Sequence, residues 1–103
     1  MMSGFDDIEQ DRVYPRESMH ISAKIMVDAQ WHDCALVNIS PTGARLRVSL
    51  QAERGEDAVI KLGDYGKFNA TVAWCHDGEV GVKFDHDPAE ITRVLIEMEL
   101  HSG

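Results

Sequence analysis

Residues 44–50 alternate without a break: Ala44, Leu46, Val48 and Leu50 fall on one side, Arg45, Arg47 and Ser49 on the other. A period of two is the signature of a half-buried strand, because successive side chains in a strand point to opposite faces. A strand of this kind needs partners, and the rest of the chain supplies them. Ile21, Ala23, Ile25 and Val27 alternate with Ser22, Lys24, Met26 and Asp28, with Asp28-Ala29-Gln30 as a turn. An apolar run beginning at Trp31 or Cys34 reaches Ile39, and short strands are expected at 58–62, 68–75 and 80–84. Asp77-Gly78 between two apolar runs is the dipeptide of a type I′ hairpin turn. Ser40-Pro41-Thr42-Gly43, which precedes the alternation, carries the residues of a type I turn: Ser first, Pro second, Gly fourth.

The last segment reads differently. Asp87 suits a helix cap, Pro88 the first helical position, and Glu90 completes a D-x-x-E box. Ile91, Val94, Leu95 and Met98 recur at helical spacing, so a helix at about 88–101 should lay one stripe on the sheet. Six short antiparallel strands with one C-terminal helix predict an all-β fold, a small six-stranded antiparallel β-barrel capped by that helix. Residues 1–11 hold Asp6, Asp7, Glu9 and Asp11 with no base, and read as a flexible acidic arm before a single domain at 12–103.

Composition narrows the partners. A net charge of −8 disfavours non-specific binding to nucleic acid or to anionic membranes. No apolar run is long enough for a membrane span, and the first residues lack the basic and apolar regions of a signal peptide, so a cytoplasmic protein is expected. Cys34 and Cys75 lie in apolar strand-like runs and read as buried free thiols. His32-x-Cys34 and Cys75-His76 lack the paired spacing of a structural zinc site, so no metal is expected. Ser40 lacks the G-x-S-x-G setting of a nucleophile, and no catalytic group converges elsewhere, so an enzyme is not expected. Trp74 falls on the interior face of its strand by pattern.

Against this acidic background the arginines are uneven. Arg12, Arg16, Arg45 and Arg47 lie in or beside two short motifs, which suits the binding of a small anion; the simpler alternative is a wet strand face. The first motif is Arg12-Val13-Tyr14-Pro15-Arg16, in which Pro15 keeps Tyr14 out of helical dihedrals and the segment extended. The second is Asn38-Ile39-Ser40-Pro41-Thr42-Gly43. In that order, R-x-x-x-R followed by [D/N]-x-S-x-x-G resembles the PilZ family, bacterial receptors for the second messenger cyclic-di-GMP. The likeness extends through Gly43-Ala44-Arg45-Leu46, Val72-Ala73-Trp74 and Val80-Gly81-Val82-Lys83-Phe84.

The resemblance implies a barrel fold and a cyclic-di-GMP site at Arg12, Arg16, Asn38, Ser40 and Gly43, with no further cofactor. Arginine suits that ligand, since its rigid fork matches both phosphate oxygens and the O6 and N7 of guanine. It also implies an unknown downstream protein and an output in motility, adhesion or exopolysaccharide control. The alternative is a ligand-free interaction module on the same barrel, a role in which the five motif residues are usually lost. Asp11 departs from the family pattern, in which many members carry a basic residue there. It favours one ligand per chain over a stacked pair.

Overall fold

In a computed structural model that describes residues 14–15 and 22–102, the chain forms seven strands and one helix. The strands are β1 (Tyr14–Pro15), β2 (Ala23–Val27), β3 (Gln30–Ile39), β4 (Gly43–Arg47), β5 (Asp57–Leu62), β6 (Lys67–His76) and β7 (Glu79–Phe84), followed by α1 (Pro88–Ser102). All pairings are antiparallel, and the order β3-β2-β5-β6-β7-β4 returns to β3, so six strands close a barrel. Closure removes the free edges that an open sheet of this size would present to other chains. The expected six-stranded barrel with a C-terminal helix is the one observed. The addition is β1, two residues that pair with β3 through Tyr14↔Ile39 and Pro15↔Asn38.

Two hairpins use mirror-image turns, which match the right-handed twist of the strands they join. Asp77 and Gly78 have φ of 53° and 77° and connect His76 to its partner Glu79. Asp28 and Ala29 do the same between Val27 and Gln30, at φ of 57° and 62°. The left-handed conformation of Ala29 is the less comfortable of the two, since its Cβ crowds the backbone. The turn at 40–43 is closed by a bond from the Ser40 N–H to the Gly43 carbonyl at 2.8 Å, so it continues the hairpin ladder. An isolated type I turn closes in the opposite sense, from the fourth N–H to the first carbonyl.

The strands bury alternate residues on one face, and these fill the barrel: Ile25, Ile39, Leu46, Ile60, Leu62, Val72 and Val80 are each no more than 1% exposed. Ile91, Leu95 and Met98 of α1 join the same cluster, with Val94 packed at its margin, as the helical stripe predicts. Asp87 caps α1 through its side chain, which accepts from the Ala89 N–H at 2.9 Å. Glu90 does not complete the expected box: its carboxylate turns to Nδ1 of His86 at 3.3 Å. The His86 ring is held from its other side, where Nε2 accepts from the Asn69 N–H at 3.0 Å. That acceptor role places the proton of a neutral ring on Nδ1, facing Glu90.

Candidate functional site

Two irregularities in the barrel create the site. On β4 and β7, one residue separates successive inward-facing positions: Arg45 lies between Ala44 and Leu46, and Gly81 between Val82 and Val80. On β3 and β6 there are two. The register of β3 against β4 shifts between Leu36 and Asn38, and that of β6 against β7 shifts between Val72 and Trp74. Such bulges re-aim the side chains that follow them. Without the extra residue, Asn38 and Trp74 would share the inward face of Leu36 and Val72. With it, both turn outward.

The consequence is a single row across four neighbouring strands. Asn38 pairs with Arg45, Arg45 with Gly81, and Gly81 with Trp74. Directly paired residues share a face of the sheet. On that face Arg45 and Trp74 are exposed, Trp74 by 41%, so its sequence-based placement in the interior is corrected by the bulge at Ala73. The indole fits because position 81 is glycine: a Cβ there would fall within the Trp74 ring. The Arg45 guanidinium carbon stands 6.0 Å from the ring centroid.

Asn38, Ser40, Gly43, Arg45 and Trp74 line one open pocket of about 260 Å³, floored by Ala44, Ala73, Gly81 and Val82. The structure therefore brings together three of the five expected site residues. Arg12 and Arg16 lie outside the described residues, as does the acidic segment 1–11. The described β1 between those two arginines runs beside the Asn38 end of the row.

Each of the three has a distinct local setting. Asn38 is half-buried, and its amide makes no side-chain hydrogen bond among the described residues, so two donors and an acceptor remain for a ligand. Ser40 is turned onto its own loop, where Oγ accepts from the Thr42 N–H at 3.3 Å and lies 3.4 Å from the Gly43 carbonyl. It shapes the turn first. Gly43 is needed for proximity rather than for an unusual φ: a Cβ would fall on the carbonyl oxygen of Val82 in the neighbouring strand.

The charge on this face is organised by Glu79. Its carboxylate accepts from Arg45 Nε at 2.7 Å and from Arg47 Nη2 at 3.4 Å. The Arg45 hydrogen bond above all, with Arg47 behind it, holds the Glu79 carboxyl below the usual glutamate range. Lys83, paired with Gly43, adds a third cation to the same outward face. A wider cleft of about 660 Å³ lies elsewhere, but Asp28, Glu56, Asp57 and Asp85 line it, and those carboxylates would repel an anion. Cys34 and Cys75 are free and half-buried, and burial pushes the Cys34 thiol up to about 11. Among the described residues no group of His, Cys, Asp and Glu is arranged to hold a metal ion, and no helix is long and apolar enough to cross a membrane.

Arg45 and Trp74 stand outside the two motifs, and nothing in the sequence singled out Glu79. The joint burial of Leu36 and Ile39, three apart, requires a bulge, but the sequence hides it, since apolar Ala35, Val37 and Ile39 also fit a regular alternation.

A family model described as PilZ domain matches residues 10–100. The crystal structure of the Borreliella burgdorferi PlzA protein in complex with c-di-GMP is similar at a TM-score of 0.61 and 18% identity, covering 90% of this chain and 36% of that one. This chain thus spans about a third of the PlzA chain. A Legionella protein described as uncharacterized, Lpg0364, is similar at a TM-score of 0.50 and 14% identity, over 76% of this chain and 84% of that one. At such identities the likeness is one of fold. No curated protein matches the sequence.

Proposed function

Because the chain belongs to the PilZ domain family, we propose that it is a receptor for cyclic-di-GMP, which it holds at Arg12, Arg16, Asn38, Ser40 and Gly43. The observation that carries this reading is the outward row Asn38–Arg45–Gly81–Trp74, which sets an amide, a guanidinium and an indole side by side at the end of the second motif. Those groups suit a guanine nucleotide. The amide can both donate to and accept from a base edge, the guanidinium matches phosphate or the O6 and N7 of guanine, and the indole offers a stacking face. The bound state of PlzA is consistent with a ligand of this kind on the same fold.

The pocket of about 260 Å³ is small and open, whereas sites that enclose a drug-sized ligand run to about 300–1,000 Å³. It accommodates one base, and the rest of the ligand needs a second wall. The R-x-x-x-R segment supplies it in this reading. Pro15, the fourth residue of that motif, is registered against Asn38, one of the residues that line the pocket. An unidentified downstream protein reads the bound state. The role is that of a receptor, not a catalyst.

Titration calorimetry tests the proposal. Cyclic-di-GMP should bind and cyclic-di-AMP should bind far more weakly, because adenine presents an N6 donor where guanine presents the O6 acceptor. In a Trp31→Phe variant, Trp74 is the sole indole, and its emission should change as cyclic-di-GMP fills the pocket. Absence of both heat and fluorescence change at high ligand concentration would remove the proposal. Equal binding of the adenine analogue would remove its guanine-reading part.

Stoichiometry is a separate expectation. Cyclic-di-GMP can stack into an intercalated pair that brings four phosphates together. Asp11 precedes Arg12, with Glu9, Asp7 and Asp6 close behind, and a carboxylate there repels the second pair of phosphates. The penalty is on the order of 1 kcal/mol at an exposed position and falls with salt. A one-to-one complex is expected, with a second ligand gained in Asp11→Arg. A ratio near two that Asp11→Arg leaves unchanged would show that this residue does not set the count.

A further inference from the structure

Neither sequence motif includes Arg45 or Glu79, yet both stand at the pocket with a defined geometry. We propose that Arg45 is a further ligand-binding residue of this site and that Glu79 is the residue that positions it. The proposal rests on the cyclic-di-GMP reading given above.

Arg45 lines the pocket, and its Nε donates to Glu79 Oε1 at 2.7 Å. A guanidinium has five N–H donors in one plane. Nε takes one of them, and the terminal nitrogens make no hydrogen bond to another described residue. Four donors therefore remain beside the pocket. Because the group is planar, an anchor at Nε together with the Trp74 ring 6.0 Å away restricts how the remaining fork can turn. Such a fork pairs in a bidentate way with a phosphate or with the O6 and N7 of guanine.

Stability does not account for the arrangement. Arg45 and Arg47 side chains are 48% and 57% exposed, and exposed ion pairs contribute little to folding. Glu79 is the sheltered partner, at 16% exposure, and it gathers both arginines from β4. Its own charge opposes an anion, but Arg45, Arg47 and Lys83 outnumber it on this face. The Arg45–Glu79 contact is also diagonal: Arg45 is directly opposite Gly81, while Arg47 is opposite Glu79. Arg45 thus leans along the strand, and its position depends on Glu79 rather than on the ladder alone.

The test uses the full chain with Arg45→Ala, Arg45→Lys, Glu79→Gln and Glu79→Ala. Calorimetry with cyclic-di-GMP should show a loss of about tenfold to hundredfold for Arg45→Ala, the range expected when charge-assisted bonds are removed. Arg45→Lys should recover only a small part, since it restores the charge without the fork. Glu79→Gln keeps an acceptor for Nε without the negative charge, and should bind at least as well as the parent. Glu79→Ala loses the anchor and should bind at least threefold more weakly than Glu79→Gln. Melting temperatures of the four should stay near the parent's, which separates a positioning role from a structural one.

A readout without ligand completes the experiment. The Arg45 Nε–H resonance should be slow to exchange in the parent and in Glu79→Gln, and averaged in Glu79→Ala. In the parent, Glu79 ionises below the ordinary value of 4.5, so the contact is present above pH 4.5 and is lost only as the pH falls through the lower folded-state value. Parent protein that binds no cyclic-di-GMP would overturn the function reading, and the binding role of Arg45 with it. Parent protein that binds, with Arg45→Ala binding within twofold of it, would overturn this inference alone. Equal affinities and equal Arg45 resonances in Glu79→Gln and Glu79→Ala would show that Glu79 does not position the guanidinium.

Discussion

Converting Arg12 and Arg16 together to alanine is expected to weaken cyclic-di-GMP binding by about 3–6 kcal/mol, roughly two to four orders of magnitude. A charge-assisted hydrogen bond is worth about 1.5–3 kcal/mol, and the sum over two proposed ligand residues holds if they act independently. A double variant that loses no more than either single variant would show that the two close on the ligand as one unit. The fold should survive, because the six barrel strands and α1 form without them. Calorimetry alongside circular dichroism separates the two effects. Binding within threefold of the parent would place the second wall of the site elsewhere.

The largest effect on stability is expected at Gly43. In Gly43→Ala the new methyl falls on the Val82 carbonyl oxygen, and backbone on both sides leaves no flexible group to give way. β4 and β7 must separate, and overpacking of this kind costs about 1–3 kcal/mol. Thermal melting should fall by roughly 4–8 °C for each kcal/mol in a domain of this size. Binding should weaken as well, since the same ladder holds Arg45 opposite Gly81. Gly81→Ala is the informative contrast. There the three atoms nearest the methyl all belong to the Trp74 indole, a 41%-exposed side chain that can swing away. That variant should keep most of its stability while losing one wall of the pocket. An unchanged melting temperature in Gly43→Ala would mean that the strand contact relaxes at little cost.

The barrel was largely legible in the sequence because its signals are local. Asp77-Gly78 announced a mirror-image turn and adopts one. The alternation from Ala44 to Val48 is the alternation of burial, with Ala44, Leu46 and Val48 inside and Arg45 and Arg47 outside. Its continuation to Leu50 does not form part of the strand, which ends at Arg47. The helix stripe at Ile91, Leu95 and Met98 is equally direct.

The site was legible only in part, and the reason is the bulges. A period-two reading carries Trp74 inward with Ala70 and Val72, because it assumes one residue per step. The extra residue at Ala73 breaks that assumption, and nothing in Val72-Ala73-Trp74-Cys75 marks it. Its trace lies on another strand, in a glycine at 81 whose missing side chain makes room for the ring. Asn38 was found through its motif, and its outward direction again depends on a register shift. Arg45 falls on the polar face of its strand by alternation, whether as an anion ligand or as a merely wet residue, but its anchor at Glu79 lies 34 residues further along the chain.

The way the barrel closes has a kinetic consequence. Two of its ladders join distant segments, Ala23 with Leu62 and Gly43 with Lys83. Contacts of such separation form late and slowly, because loop-closure entropy is lost before they reward it. The pocket straddles the second of these ladders, with Asn38 and Arg45 on one side of the seam and Gly81 and Trp74 on the other. A chain that has not closed that seam has the two halves of the site and no site. A ligand bridging them therefore acts as a fastener on the finished barrel: it holds the seam shut and slows unfolding, while leaving the rate at which the chain first finds its fold unchanged.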